Sequence, residues 1–210
     1  APEAVHQMRV ALRRLRAAIS LFRAAVADGR SDRVKDELRW IASLLGQARD
    51  LDVFLAKTLR PARERHPDEP SLQELAASLE GRREDSYDRA HDALASPRYR
   101  RLFLETAAWI EAGPWTAAEN EARDQPVEDF AAEELRRRRR KIRKRGAKLA
   151  DLEPEARHEL RIEIKKLRYA VEFFASLHRG KGRTKRLKAF LSPLEEMQEA
   201  LGHLNDIAVS

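Results

Sequence analysis

The sequence has 210 residues, including 42 Lys or Arg and 35 Asp or Glu, for a net charge of +7 that favours an acidic partner. It contains no cysteine, which excludes disulfides and cysteine-based metal or nucleophilic sites. No signal peptide and no run of 18 apolar residues are found, so we expect a cytoplasmic, non-membrane protein.

The composition and the hydrophobic spacing predict helices throughout, because Gly and Pro are few and no alternating strand pattern occurs. The first helix is predicted over residues 4–27, where apolar residues recur at spacings of three and four, and Gly29 ends it. Ser31 is predicted to cap a second helix that runs to about Leu59, before Pro61.

Five further helices are predicted, the last of them with Thr184 as its N-cap. They span residues 71–95, 97–112, 127–150, 155–178 and 184–209. A polar, mostly acidic stretch bracketed by Gly113-Pro114 and Pro126 is typical of a linker. The prediction is therefore a first helical bundle over residues 1–112, a linker over 113–126 and a second bundle over 127–210.

Three blocks of the first half recur in the same order in the second half, at offsets of 152, 153 and 156 residues. The aligned blocks are His6–Arg16 with His158–Arg168, Gly29–Lys35 with Gly182–Lys188, and Leu45–Asp50 with Leu201–Asp206. The order and spacing indicate a tandem duplication. A helix precedes the second copy but not the first, and the residues after Asp50 have no counterpart after Ser210. We therefore expect one helix to be missing at each end.

A histidine followed by basic residues forms one narrow stripe on a helix in each copy, immediately beside the apolar stripe. The stripes consist of His6, Arg9, Arg13 and Arg16 in the first copy, and His158, Arg161, Lys165 and Arg168 in the second. Each stripe is about 15 Å long, which suits a chain of phosphates. A solvated charged face is the alternative, but recurrence in both copies favours binding in a shared groove. Arginine binds phosphate oxygens in a bidentate way.

Ten further basic residues and no acidic residue occur in residues 136–148, and we expect most of them to face solvent. The candidates for additional basic lining of the groove are Lys35, Arg39, Arg138, Arg139, Arg143, Arg145 and Lys188. Asp50 and Asp206 occupy matching positions, four residues after Gly46 and Gly202. Buried pairing of these aspartates with the arginines is favoured over metal binding, since only His203 is nearby as a nitrogen ligand. The glycines are interpreted as sites of close helix packing.

The two histidine-led segments, together with Leu45-Gly46…Asp50 and Leu201-Gly202…Asp206, resemble the signature motifs of the CHAD family. The resemblance implies an all-α fold of two antiparallel four-helix bundles related by a pseudo-twofold axis, with a basic groove between them. It also implies binding of inorganic polyphosphate, and location on polyphosphate granules or beside a triphosphate-tunnel enzyme domain. We predict no catalytic residue and no cofactor. The predicted polyphosphate-binding residues are His6, Arg9, Arg13, Arg14, Arg16, His158, Arg161, Lys165, Lys166 and Arg168.

Two other functions are compatible with the basic helices. Nucleic-acid binding is the second candidate, although no nucleic-acid-binding motif is found and no aromatic residues are interleaved with the stripes. A phosphate enzyme is the third, with the paired histidines as phosphoacceptors or as metal ligands together with the aspartates. No phosphate-cradling glycine loop accompanies them.

Overall fold

The computed structural model describes residues 2–117, 121–177 and 182–209, and all regular structure in these ranges is helical. The all-helical prediction is therefore confirmed. The helices are α1 (Pro2–Leu21), α2 (Arg23–Val26), α3 (Gly29–Phe54), α4 (Arg60–Arg65), α5 (Pro70–Ala95), α6 (Pro97–Ala112), α7 (Glu121–Asp124), α8 (Val127–Gly146), α9 (Pro154–Phe173) and α10 (Arg183–Val209). A π-helical turn at Leu55–Leu59 joins α3 to α4. Short 3-10 helices lie at Pro114–Thr116, Leu149–Asp151 and Phe174–Leu177.

The chain divides into two compact units, Ala1–Glu119 and Asn120–Ser210. In unit 1, the long helices α1, α3, α5 and α6 enclose a core centred on α3, whose Ile41 and Leu45 are fully buried. In unit 2, α9 packs against both α8 and α10, and Leu160, Ile164 and Leu167 of α9 form the centre of that core. Within the described ranges, unit 2 has three long helices where unit 1 has four.

The start of α3 differs from the prediction, because Asp28 and not Ser31 is its N-cap. The Asp28 carboxylate accepts hydrogen bonds from the backbone N–H groups of Arg30 and Ser31, at 2.9 and 2.7 Å. It also accepts one from the indole nitrogen of the buried Trp109, at 3.0 Å. Ser31 completes a capping box, and Gly29 begins this helix instead of ending the one before. The carboxylate thus joins the start of α3 to α6.

Three other predicted helix limits are also wrong. The first helix is interrupted at Phe22, and Thr184 lies inside α10, which already begins at Arg183. The helix predicted to stop before Pro61 continues through it to Arg65. The backbone N–H of Arg60 donates to the carbonyl of Leu55, five residues back. This widened turn precedes the proline ring, and a wider turn relieves the clash that proline causes in a regular α-helix.

A buried carboxylate joins α3 to α5 in unit 1. Asp52 accepts hydrogen bonds from Arg83 Nε and from the Tyr87 hydroxyl, both at 2.7 Å. Burial, together with the Asp52 carboxylate, raises the pKa of Tyr87 to about 12, so the phenol stays protonated and continues to donate at neutral pH. Asp52 therefore has a structural role. Asp50, two residues earlier, points to a different set of neighbours.

Candidate functional site

The basic stripe of unit 1 lies on α1 where this helix packs against α3. Apolar contacts orient it, because Leu12 and Ile19 are buried in the core while Met8 and Leu15 pack at its edge. The basic side chains therefore emerge at the border of the helix contact. Arg9 contacts residues 42–50 of α3, whereas Arg16 is near residues 36–39. The two helices thus run antiparallel along the stripe.

Arg9 is the most constrained member of this stripe. Its Nη1 donates to the carbonyl oxygen of Ala42 at 3.1 Å, and its Nη2 is 3.9 Å from a carboxylate oxygen of Asp50. A Cβ placed on Gly46 would clash with Nη1 of Arg9. Gly46 therefore makes room for a guanidinium group. The glycine thus lies where a side chain of α1 packs against α3.

Asp50 pairs with Arg9 but is not buried, because 79% of its side chain is exposed. The predicted buried pairing is therefore wrong in this detail. A solvent-exposed carboxylate at 3.9 Å neutralises Arg9 only in part. Its counterpart Asp206 lies on α10, but the side chain of Asp206 is outside the described part of the structure.

Four arginines line one open cleft of about 380 Å³ between α1 and α3. They are Arg9, Arg13, Arg16 and Arg39, and the remaining lining residues are Ala42, Ser43, Gly46, Gln47 and Asp50. Asp50 is the only acidic residue among the described residues of that lining. His6, which is half-buried, and Arg14, which is exposed, do not line this cleft.

Burial makes the cationic form of two of these arginines, Arg9 and Arg16, less favourable than in water. Burial lowers the pKa of Arg9; Asp50 opposes this effect, and Arg13 and Arg49 add to it. Burial and the charge of Arg39 likewise lower the pKa of Arg16, with Asp36 opposing them. The Nε of Arg13 is buried and has no hydrogen-bond acceptor among the described residues. An anion bound in the cleft would supply the missing negative charge to the guanidinium groups that line it.

The basic stripe of unit 2 repeats the central contact of unit 1. Arg161 of α9 lies against Gly202 of α10, with Nη2 3.6 Å from the position of an added Cβ. As with Arg13, the Nε of Arg161 is buried without an acceptor among the described residues. Lys165 is half-buried one turn later and His158 is exposed. Lys166 points away from this contact and pairs with Glu163 at 2.9 Å.

The last arginine of the second stripe has acidic neighbours. Arg168 is 3.6 Å from Glu172 and 3.8 Å from Glu195. Both distances are too long for hydrogen bonds, and Arg168 Nε has no hydrogen-bond acceptor in the described ranges. The sequence reasoning missed both glutamates. For Glu195 the sequence held a signal in the spacing. Glu195 precedes Gly202 by the same seven residues that separate Arg161 from Arg168, which places Glu195 opposite Arg168 on the antiparallel helix.

The additional basic residues are placed unequally. Arg39 lines the cleft of unit 1 and pairs with Asp36, whereas Lys35 pairs with Asp32 at 3.2 Å outside it. Arg138 is buried against Glu134, and Arg145 pairs with Glu159. Arg139, Arg143 and Lys188 are exposed.

Metal binding and membrane insertion are the remaining classes of function to consider. Among the residues that the structure describes, no group of three or more His, Asp or Glu side chains is arranged to hold a metal ion. None of the described helices is long and apolar enough to cross a membrane.

Comparison with known proteins identifies the family. The family model of the CHAD domain matches residues 1–210. The crystal structure of the CHAD domain from the plant Ricinus communis is similar to this chain, with a TM-score of 0.77 and 35% sequence identity. The match covers 100% of this chain and 66% of that one, so the sequence spans about two thirds of that protein's length. Comparison with curated proteins gives no match. Since the family model covers the whole sequence, the chain belongs to the CHAD domain family.

Proposed function

We propose that this chain binds inorganic polyphosphate through the two basic stripes. The observation that carries the proposal is the cleft of unit 1, where four arginines and one carboxylate, that of Asp50, stand among the described lining residues and two of the arginines have lowered pKa values. Clustered cations that are partly desolvated and short of acceptors are stabilised by an incoming polyanion.

The shape of each stripe favours a linear polyanion over a single small anion. Arg9, Arg13 and Arg16 follow one another along about 10 Å of α1, since each residue adds 1.5 Å. A linear polyphosphate presents oxyanions repeatedly along its length, so successive phosphates can meet successive arginines. Arg161 and Lys165 offer the same kind of repeat on α9.

The decisive experiment reverses the charge of four stripe residues together, in the variant R9E/R13E/R161E/K165E. We expect loss of binding to long-chain polyphosphate, measured by titration calorimetry, because the cations that release condensed counterions are gone. The matched control is K57E/R63E/R100E/R101E, which changes the net charge equally at exposed residues outside the stripes. Binding by the stripe variant as tight as that of the parent would refute the assignment.

Nucleic acid is the alternative polyanion, and competition separates the two. Polyphosphate pre-bound to the parent is challenged with DNA at equal phosphate concentration and fixed salt. We expect DNA to displace little of it, because no aromatic side chain lines the cleft of unit 1 for base stacking. Efficient displacement would favour nucleic-acid binding.

The proposal is for a binding module and not for an enzyme acting on phosphates. Incubation of the purified protein with polyphosphate and divalent cations should release no orthophosphate. Release that is lost in H6A/H158A would contradict this proposal and would make the two histidines phosphoacceptors or metal ligands.

The shared groove and the cellular location are further parts of the proposal. If both stripes face one groove, one long polyphosphate chain should bind to each protein molecule. If the stripes are independent sites, the same polyphosphate should bind to each protein molecule in two copies. A cytoplasmic protein with this activity is expected on polyphosphate granules or beside a triphosphate-tunnel enzyme domain. Fluorescence microscopy of the tagged parent and of the charge-reversed variant tests the granule location.

A further inference from the structure

The basic stripe and the facing helix have the same register in both units. In unit 1, Arg9 lies over Gly46, and seven residues along each antiparallel helix Arg16 lies near Arg39. Seven residues are two helical turns, so the second pair repeats the position of the first about 10 Å away. The end of this stripe therefore presents two arginines together.

Unit 2 has the same helix register, but a carboxylate replaces the second arginine at the end of its stripe. Arg161 lies against Gly202, and seven residues along each helix Arg168 is 3.8 Å from Glu195. Glu195 thus occupies the position that Arg39 has in unit 1. A second carboxylate, that of Glu172, is 3.6 Å from Arg168 on its other side.

This difference between the two units changes the local charge at the end of each stripe. In unit 1, Arg16 and Arg39 share the carboxylate of Asp36, which is 2.6 Å from Arg39, and the three groups have a net positive charge. In unit 2, Arg168 faces Glu195 at the position where Arg16 faces Arg39 in unit 1, so this pair has no net charge. A phosphate is therefore attracted more strongly to the end of the stripe in unit 1 than to the end of the stripe in unit 2.

We propose that the two stripes are unequal anion sites. Unit 1 binds the polyanion along the whole length of its stripe, as far as Arg16 and Arg39. In unit 2 the glutamates exclude the polyanion from Arg168, so that it binds only Arg161 and Lys165. This inference rests on the proposed function only for the identity of the polyanion. Glu195 is then a specificity-determining residue, since it decides where the second stripe ends.

Single substitutions in the full chain test the inequality by titration with polyphosphate of defined length. We expect R16Q to weaken binding about tenfold, the usual effect of losing one charge-assisted phosphate contact. The matched R168Q should change affinity less than about twofold. Equal losses in R16Q and R168Q would overturn the inference.

Substitution of Glu195 tests the inference through a gain of affinity for polyphosphate and not through a loss. The side chain is 53% exposed, so E195Q should fold as the parent does. We expect E195Q to bind polyphosphate several times more tightly than the parent. In the E195Q background, R168Q should weaken polyphosphate binding markedly. A double-mutant cycle of the two substitutions measures this coupling. Unchanged affinity in E195Q would contradict the assigned role of Glu195.

NMR spectroscopy of the arginine side chains separates this inference from the proposed function. During titration with inorganic triphosphate, the Nε–Hε signal of Arg16 should shift and that of Arg168 should stay in place. If long polyphosphate does not bind while triphosphate still shifts Arg16 alone, the proposed function fails and the inequality stands. Equal shifts of both signals, or shifts of neither, contradict the inequality.

Discussion

Arg9 shows how a single side chain on α1 is positioned by the backbone of α3. The carbonyl of Ala42 accepts one hydrogen bond from its guanidinium, and Gly46 leaves the space in which that group lies. Because only 19% of the side chain is exposed, the arginine keeps few conformations and loses little entropy on binding a phosphate. The remaining N–H groups keep a defined direction toward the cleft.

The two motif glycines give a matched pair of variants at this scale. In G46A the new Cβ displaces Arg9, so we expect about tenfold weaker polyphosphate binding. In G202A the nearest atom of Arg161 is 3.6 Å away, so binding should be retained. Alanine stabilises a helix by up to about 1 kcal/mol relative to glycine.

Thermal unfolding separates displacement of Arg9 from general damage. G202A should be slightly more stable than the parent, whereas in G46A the gain in helix propensity is offset by the lost bond to Ala42, worth about 1 kcal/mol. Parent-like affinity in G46A, with its fold intact, would show that the position of Arg9 does not matter.

Helix α8 shows how an element with ten basic residues in 136–148 is stabilised. Its carboxylate Glu134 pairs with Arg137 and Arg138, and two glutamates of α9 pair with Lys141 and Arg145. Most of the basic residues without such partners are exposed, as predicted. Glu134 is three and four residues from the arginines with which it pairs, whereas the partners on α9 depend on how the two helices pack.

Glu134 should make the stability of unit 2 dependent on pH. Burial acts to raise its pKa, but hydrogen bonds from Arg137 and the charge of Arg138 outweigh burial, and the pKa is lowered. The ionised carboxylate therefore stabilises the fold above its ordinary pKa of about 4.5, and this contribution is lost as the pH falls through the lowered pKa.

Replacement of this carboxylate tests the pH dependence. We expect E134Q to lower the free energy of unfolding by about 2 kcal/mol at pH 7, because hydrogen bonds to a charged group are lost. Below about pH 4 the difference from the parent should shrink. Urea unfolding across this range measures it, with the exposed E133Q as control. A pH-independent difference would assign the effect to packing and not to charge.

At the scale of the whole molecule, two units with separate cores carry a net charge of +7. A ligand that binds only the folded protein stabilises it by mass action, by about 2.7 kcal/mol at a hundred times its Kd. Polyphosphate should therefore raise the free energy of unfolding at low salt. The increase should fall at high salt, because affinity decreases with ionic strength.

Chemical unfolding at two salt concentrations, with and without polyphosphate, measures this coupling. The control variant K57E/R63E/R100E/R101E should respond as the parent does, and R9E/R13E/R161E/K165E should not respond. Equal stabilisation of both variants would mean that polyphosphate acts through general charge and not through the stripes.

The sequence by itself determined the helical class, the duplication and the residues of the two stripes. Each of these follows from local chemistry, since helical periodicity and aligned motifs are readable along the chain. Helix limits were less predictable. The carboxylate of Asp28 caps α3 and also accepts a hydrogen bond from the side chain of Trp109, 81 residues away. Helix α4 passes Pro61 because of a widened turn.

Only the tertiary structure decided the environment of each cation. Arg16 and Arg168 are equivalent in the sequence motif, yet one is near an arginine and the other is near two glutamates. Electrostatic energies depend on distances and burial, and the antiparallel packing of neighbouring helices sets both. The motif thus located the two stripes, and the facing helices decided how much positive charge each one presents.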